Sequence, residues 1–419
     1  MQSPSRLSDS TVLEAPAGGQ VRQAPPAELP DWVRNAARDC KEPLKTAREL
    51  RPVIEAGAIE GARLGYLPDS VVRPMVEAGM WGLRVPREFG GAEVDPHTYI
   101  DVIEELSYAD GSAGWTVMAS NFGGGGGLGL GPSAVERIYG GNEGIITAAQ
   151  ISKLGTAHRV DGGYQANGVF QFGSGSHYAS WFSGAFVVHE DGKPVIGENG
   201  KPKVLMLTTD RKHIRFLGNW DVMGLSATGS YDWEFIDQFV PDDWVGGLPG
   251  RRKIGGPTHA IGVSIGHVSW ALGVGKRALD EIQDLAKRKR RFQRTTLIDQ
   301  QTFQLEYGRH LTSMEAARGL VHKVFEDWHQ AAKQGPVSIE VRAQARRASC
   351  WATEVAHQAA QFAMFSSGSD GVRNRGGDNV IQRVFRDTQV GATHRHIDQN
   401  TLVDCTQVAL GIAEADLEL

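Results

Sequence analysis

Cysteine is nearly absent: Cys40, Cys350 and Cys405 are the only three in 419 residues, far apart and never in a C-x-x-C pair. That excludes a disulfide framework and a cysteine zinc site, and fits a reducing compartment. Long apolar runs are missing as well, so no segment reaches the length of about 18 residues that spanning a membrane requires. The start, MQSPSRLSDSTVLEAP, lacks the charged and then apolar regions of a secretory signal. A cytoplasmic protein with no membrane partner is expected. There is no excess of positive charge either. Lys and Arg number 44 against 49 Asp and Glu, giving a net charge of -5 and a pI near 6.2, so nucleic acid is not an expected partner. Nor is there a nucleotide fingerprint. The glycine run at 123–127, extended by Gly129 and Gly131, has no preceding strand and no following Lys-Ser or Lys-Thr. It reads as a flexible or closely packed loop, with backbone approach to a ligand as the other use.

What is present is ordinary globular material, 41% hydrophobic and 22% charged, long enough for two or three domains. Residues 1–30 are rich in Ser, Pro, Gly and Gln and are expected to form a flexible lead-in. Over 31–144 apolar residues recur at helical spacing, as in Val33, Ala36 and Ala37 or Val71, Met75 and Ala78. Over 145–257 the period shifts toward two, with β-branched and aromatic runs at 168–172, 182–188 and 203–209 separated by turn signals. From 258 to 419 the helical period returns, with long segments at 261–292, 298–334 and 338–366 that suggest a bundle of about four helices. Strand-helix alternation is absent, which excludes a doubly wound nucleotide-binding sheet.

Four segments resemble the acyl-CoA dehydrogenase superfamily. They are LRVPREFGGAEVD with IEELSYADGSAGW, then GVFQFGSGSHYASWF, then WDVMGLSATGSYDWEFIDQFVP, and finally VIQRVFRDTQVGATHRHID. A weaker echo, KRRFQRTTLIDQQTFQLEY, is similar to the family's Arg-x-Phe helix start. The resemblance implies an α+β fold with an N-terminal helical domain, a middle β-barrel or sandwich domain and a C-terminal four-helix bundle.

Within that superfamily the dehydrogenases need a carboxylate base, commonly eight residues after the Asp of an Arg-Asp pair. Here Arg386-Asp387 is followed at that place by Arg395, a permanent cation, and no Glu lies in 385–404. The stretch carries His394 and His396 instead. His394 resembles the histidine of the two-component (group D) flavin monooxygenases that hydroxylate aromatics, where a neutral imidazole can take a proton from a phenol. Either histidine could instead simply cap or pack. Ser174 matches the position whose hydroxyl or amide meets flavin N5 in these oxygenases, although Gly-Ser-Gly also closes turns.

The resemblance further implies Trp115 and Asn121 near the substrate or flavin, His396 and His177 as pocket walls, and His97 more weakly. Trp220, Thr228 and Ser230 would lie along the cofactor, and Arg290 and Gln301 would reach its pyrophosphate or adenosine part. Core packing, tight turns and a solvated helix face are the competing uses of these residues.

The implied activity is the oxygenase component of a two-component flavin-dependent monooxygenase. It would receive reduced FMN or FAD from a separate NAD(P)H-dependent reductase, form a C4a-hydroperoxyflavin with O2 and hydroxylate a small aromatic, phenolic or polycyclic substrate. No metal is expected, and a homotetramer is implied. The alternatives are a dehydrogenase or desaturase on a thioester or carrier-bound substrate, with Glu306 or Asp370 as base, and a flavin-fold protein that binds without turnover.

Overall fold

Asp95 and Asp110 set the geometry of the first half. The Asp95 carboxylate accepts from Thr98 N–H at 3.1 Å and starts a helix whose first residue is proline. Asp110 ends that helix and caps the next, accepting from Ser112 N–H at 3.0 Å and Ala113 N–H at 3.2 Å. In a computed structural model describing residues 25–124, 129–251, 254–290 and 294–412, these two helices form the inner layer of a helical region. In chain order its helices are α1 (Asp31–Arg34), α2 (Pro43–Leu64), α3 (Asp69–Glu77), α4 (Pro96–Ala109), α5 (Gly111–Gly124) and α6 (Pro132–Val135). The apolar stripe Ala47, Leu50, Ile54, Ala58 turns α2 inward, and Val71, Val72, Met75 and Val76 do the same for α3. Most of the expected lead-in falls outside the described residues. So does the centre of the glycine run, although α5 continues through Gly124.

The strands are β1 (Thr147–Val160), β2 (Gly163–Gly173), β3 (Trp181–Glu190), β4 (Lys193–Pro194), β5 (Val204–Asp210), β6 (Arg215–Phe216), β7 (Tyr231–Pro241) and β8 (Val245–Gly246). The expected barrel or sandwich takes the form of one mixed sheet in the order β6-β7-β2-β1-β3-β5-β8, with β4 on β3. β1 and β3 run parallel and every other pairing is antiparallel. Register shifts between Gln150 and Leu154 in β1 and between Phe170 and Gly173 in β2 interrupt the ladders, and such irregularities bend strands and re-aim side chains. Phe170, Phe182, Phe186, Trp233 and Phe235 pack as one aromatic cluster, with Phe170 and Trp233 stacked at 4.6 Å.

The remaining helices are α7 (Ser264–Arg288), α8 (Gln301–Gln334), α9 (Ile339–Ser367), α10 (Ser369–Val372), α11 (Val380–Gly391) and α12 (Gln399–Ala409). Helix α9 packs against α7, α8, α11 and α12. Its buried face is a seam of alanines, among them Ala345, Ala352, Ala356, Ala359 and Ala363, which lets the neighbours approach closely. On α7, Gly273 permits a similar approach, since a Cβ there would overlap the Glu104 carbonyl of α4. Among the described residues, no helix is long and apolar enough to cross a membrane.

Candidate active site

Where α5, the bulged end of the sheet and the turn after α11 meet, they enclose a cavity of about 530 Å³, within the range of cofactor and small-molecule sites. Trp115 and Met118 of α5, Gln150 to Ser152 of β1, and Gln171, Phe172 and Ser174 at the end of β2 form part of its lining. The rest includes Trp220, Leu225, Thr228, Ser230, Thr393, His394, Arg395 and His396. Among the described residues, no aspartate or glutamate lines it.

One wall is a chain of hydroxyls with a fixed direction. Thr228 Oγ1 donates its only proton to the Leu225 carbonyl at 2.9 Å. The 2.7 Å contact between Thr228 and Ser230 therefore needs Ser230 as donor, and the 2.8 Å contact between Ser230 and Ser174 needs Ser174 as donor. Ser174 Oγ in turn accepts from Trp115 Nε1–H at 3.0 Å, which leaves it one acceptor lone pair. The Ser174 amide is already given to the Phe172 carbonyl at 2.9 Å. Of the two groups expected to meet a flavin, the hydroxyl is the one left, and its free valence toward the cavity is an acceptor lone pair.

The opposite wall is a histidine cluster. His394 stacks on His396 with ring centroids 5.3 Å apart, lies 5.2 Å from His267 of α7, and meets the Trp115 ring edge-on at 5.6 Å. His267 donates from Nε2 to the Gly391 carbonyl at 3.1 Å, tying the end of α11 to α7. A side chain at Gly391 would overlap the Trp270 ring, so glycine is required for this approach. Burial pushes the His394 imidazole down to about 4 and His267 to about 3, with smaller contributions from the Arg346 charge; the same causes lower His396. All three are neutral at pH 7. His394 Nδ1 accepts from the His396 backbone N–H at 3.3 Å, which puts the ring proton on Nε2. The expected base thus rests as a donor, and accepting a proton at Nε2 requires the other tautomer.

The loop between the walls is held from below. Leu225 N–H donates to the buried Asp387 Oδ1 at 2.6 Å, and Ala227 N–H to Ser112 Oγ at 3.3 Å. Burial, with the Asp110 carboxylate close by, pushes Asp387 up to about 7, while Arg383, 3.3 Å from Asp110, offsets part of that shift. Two lining residues, Phe172 and Leu225, have left-handed backbone (φ 59° and 52°), a strain that non-glycine residues bear mainly where the surroundings enforce it.

Of the residues expected at a site, the structure brings together Ser174, Trp115, Trp220, Thr228, Ser230, His394 and His396. It does not bring Asn121, His177, Arg290 or Gln301 to this cavity. The Asn121 amide is turned inward to the Val117 carbonyl at 2.8 Å and the Met80 carbonyl at 3.3 Å. His177 stacks on Tyr66 at 3.6 Å, where a packed ring leaves it no open face. Arg290 and Gln301 are exposed at the foot of the bundle. His97 lies elsewhere too, against His322 and Glu326. Neither alternative base lines the cavity: Glu306 pairs with Arg309 at 2.7 Å, and Asp370 with Lys289 and Arg375.

Sequence reasoning missed Gln150, Ile151 and Ser152, which sit in a strand without turn or motif signals. It also missed Gln171, Phe172 and His267; the first two stand inside a quoted segment, and the third is a lone histidine on an apolar helix.

Phe172 is 61% exposed and meets Trp220 edge-on at 6.3 Å, so flat aromatic surface lies beside the Ser174 acceptor. That combination of apolar face and polar edge fits a flavin ring. For a metal, Asp101, Glu104 and His322 lie close together between α4 and α8, but the Arg318 guanidinium already pairs with both carboxylates.

Comparison with known proteins agrees with this architecture. The acyl-CoA dehydrogenase N-terminal domain matches residues 44–131, and the acyl-CoA dehydrogenase C-terminal domain matches residues 265–399. Indole-3-acetate monooxygenase of Pseudomonas putida is 28% identical over 371 residues, 82% of this chain and 89% of that protein. The flavin-dependent monooxygenase oxygenase subunit HsaA of Mycobacterium tuberculosis is 27% identical over 380 residues, 85% of this chain and 92% of its own length. The solved structure of XiaF from Streptomyces sp. in complex with FADH2 and glycerol superposes with a TM-score of 0.80 at 22% identity, covering 90% of this chain and 97% of that one. With both ends of the chain matched and the same architecture between them, the chain belongs to the acyl-CoA dehydrogenase family.

Proposed function

We propose that this chain is the oxygenase component of a flavin-dependent monooxygenase that hydroxylates an aromatic substrate. The observation that carries this reading is the character of the cavity: histidines and hydroxyls face each other across it, and no carboxylate among the described residues could remove an α-proton. Relatives named as monooxygenases over more than four fifths of the chain support it. Bound reduced flavin would supply two electrons to O2, one oxygen atom entering the product and the other leaving as water.

The protein's own contribution begins at Ser174. Its acceptor lone pair beside an aromatic wall would receive the N5 proton of a bound reduced flavin. Trp115, Ser230 and Thr228 keep that hydroxyl pointed away from the cavity, so its lone pair needs no reorganisation. His394 meets the substrate oxygen with Nε2–H. It serves as base once its proton shifts to Nδ1, at the cost of the 3.3 Å contact, a weak hydrogen bond worth about 1 kcal/mol or less. Apolar lining from Met118, Val263 and Val390 keeps bulk water from the reacting atoms.

A separate reductase supplies the flavin, FMN or FAD, by diffusion. The chain assembles as a homotetramer through its bundle, whose outer surface exposes Trp351, Phe365, Leu402 and Val403. Light scattering reads the assembly.

The activity test mixes the protein anaerobically with reduced FMN, then adds oxygen and an aromatic substrate, and compares hydroxylated product with hydrogen peroxide. Product formation is expected in the wild type. His394→Ala should lose about 10²–10⁴ in hydroxylation rate while still binding reduced flavin. Bleaching of oxidised flavin by an acyl thioester without oxygen or reductase would instead establish the dehydrogenase.

A further inference from the structure

Arg395 is the one charged residue that lines the cavity among the described residues, and its side chain is exposed. It stands between His394 and His396 in the turn after α11. Among the described residues its side chain makes one hydrogen bond, a long contact of 3.5 Å from Nη1 to the Ile151 carbonyl, and no ion pair. Asp398 feels the Arg395 charge, but its Oδ1 accepts from Thr401 N–H at 2.8 Å and caps α12. Behind the same turn, Arg346 of α9 is half-buried, its Nε has no partner among the described residues, and its charge acts on all three histidines. Asp398 offsets part of the charge of both guanidinium groups, but no acidic residue among the described residues lines the cavity to pair with Arg395.

Arg395 is exposed, so solvent satisfies its charge, and a carboxylate seated in the cavity would pair with it directly. Guanidinium is built for planar, two-point pairing with a carboxylate, and a cation at a cavity mouth attracts anions before they bind. The ring contacts available alongside it, the edge of Trp115 and the stacked His394 and His396, suit a flat apolar body.

We propose that the substrate is an aromatic acid whose carboxylate pairs with Arg395 while its ring packs against the Trp115 and His394 pair. The proposal rests on the monooxygenase reading and narrows its substrate class. A phosphate of the flavin is the other source of the same anionic chemistry. The seating of Arg395 in the histidine turn, rather than beside the hydroxyl chain and Trp220, favours the substrate.

The test is anaerobic titration calorimetry on the protein saturated with reduced FMN. The probes are 4-hydroxyphenylacetate against its amide and indole-3-acetate against its amide, each with wild type, Arg395→Gln and Arg395→Lys. In wild type at least one acid should bind about tenfold to a hundredfold more tightly than its amide, the usual worth of a charge-assisted pair. That ratio should fall to near one in Arg395→Gln and recover in part in Arg395→Lys, with reduced-FMN affinity unchanged. Three results would overturn the proposal: neither acid binding better than its amide in wild type, whether or not either binds; a preference that survives Arg395→Gln; or lost reduced-FMN affinity with the preference intact, which would assign Arg395 to the flavin phosphate. Because binding is read without oxygen, an acid that binds through Arg395 but is never hydroxylated would count against the monooxygenase reading alone.

Discussion

The indole N–H of Trp115 donates to the Ser174 hydroxyl across 3.0 Å, while the edge of the same indole system meets His394 with ring centroids 5.6 Å apart. One side chain on α5 thus joins the hydroxyl wall of the cavity to the histidine wall. It is itself held by Trp270 at 4.9 Å and His267 at 5.4 Å, both on α7.

Trp115→Phe keeps most of the ring packing and removes the donor. The expected outcome is a loss of about 1 kcal/mol in stability, one buried hydrogen bond, with a severalfold rise in the share of oxygen released as hydrogen peroxide. Calorimetry and a peroxide assay with substrate present read the two effects. Unchanged coupling would mean that this bond does not orient Ser174 in the working enzyme.

The histidine cluster makes the fold acid-sensitive. His394 and His267 have folded-state values near 4 and 3, below the unfolded value of about 6.5. Groups depressed in this way contribute stability that is present above pH 6.5 and lost as pH falls through 4. Denaturant midpoints should therefore drop between pH 6.5 and 4, and His396→Asn should make that drop shallower. A variant as acid-sensitive as the wild type would remove His396 from the effect.

Asp387 has the opposite sign. Its folded-state value near 7 lies above the unfolded value of about 3.9, so its contribution is complete below pH 4 and is lost as pH rises through 7. Asp387→Asn keeps an acceptor for Leu225 N–H and cannot ionise. Its stability relative to wild type should improve from pH 5 to pH 8, as read by urea unfolding; a constant difference would show that Asp387 stays charged throughout.

Gly391→Ala places a methyl group against Trp270 at the point where α11 meets α7. Overpacking of this kind costs about 1–3 kcal/mol, and the turn bearing His394 must move. A lower melting temperature together with slower hydroxylation is the expected pair of outcomes. Full activity at reduced stability would show that the His394 turn is positioned independently of Gly391.

Much of the fold could be read from periodicity. The helices expected at 261–292, 298–334 and 338–366 are Ser264–Arg288, Gln301–Gln334 and Ile339–Ser367, because long apolar stripes at helical spacing have no other way to be buried. The runs at 168–172 and 182–188 fall inside β2 and β3, and the run at 203–209 overlaps β5 in all but its first residue, for the same kind of reason. Site residues were legible where a short motif fixes its own backbone, as with Ser174 between glycines or Thr228 and Ser230 around Gly229. They were not legible where placement depends on distant partners. Asn121 faces inward because carbonyls of α5 and of the chain near Met80 take its amide. Gln150 to Ser152 reach the cavity where the β1 ladder shifts register. Nothing around His267 in the chain announces that it faces Gly391.

By itself the sequence determined the order of helical, β and helical regions, the lack of a carboxylate where the dehydrogenases commonly keep theirs, and the presence of His394, Arg395 and His396 in its place. Those properties are local, set by residue type and spacing. Only the tertiary structure decided that the Ser174 hydroxyl is an acceptor, that His394 rests with its proton on Nε2, and that Arg395 lines a cavity with no acid to pair with. Each of these depends on which group stands opposite in space, and hydrogen-bond direction and charge balance are properties of that pairing rather than of either residue alone.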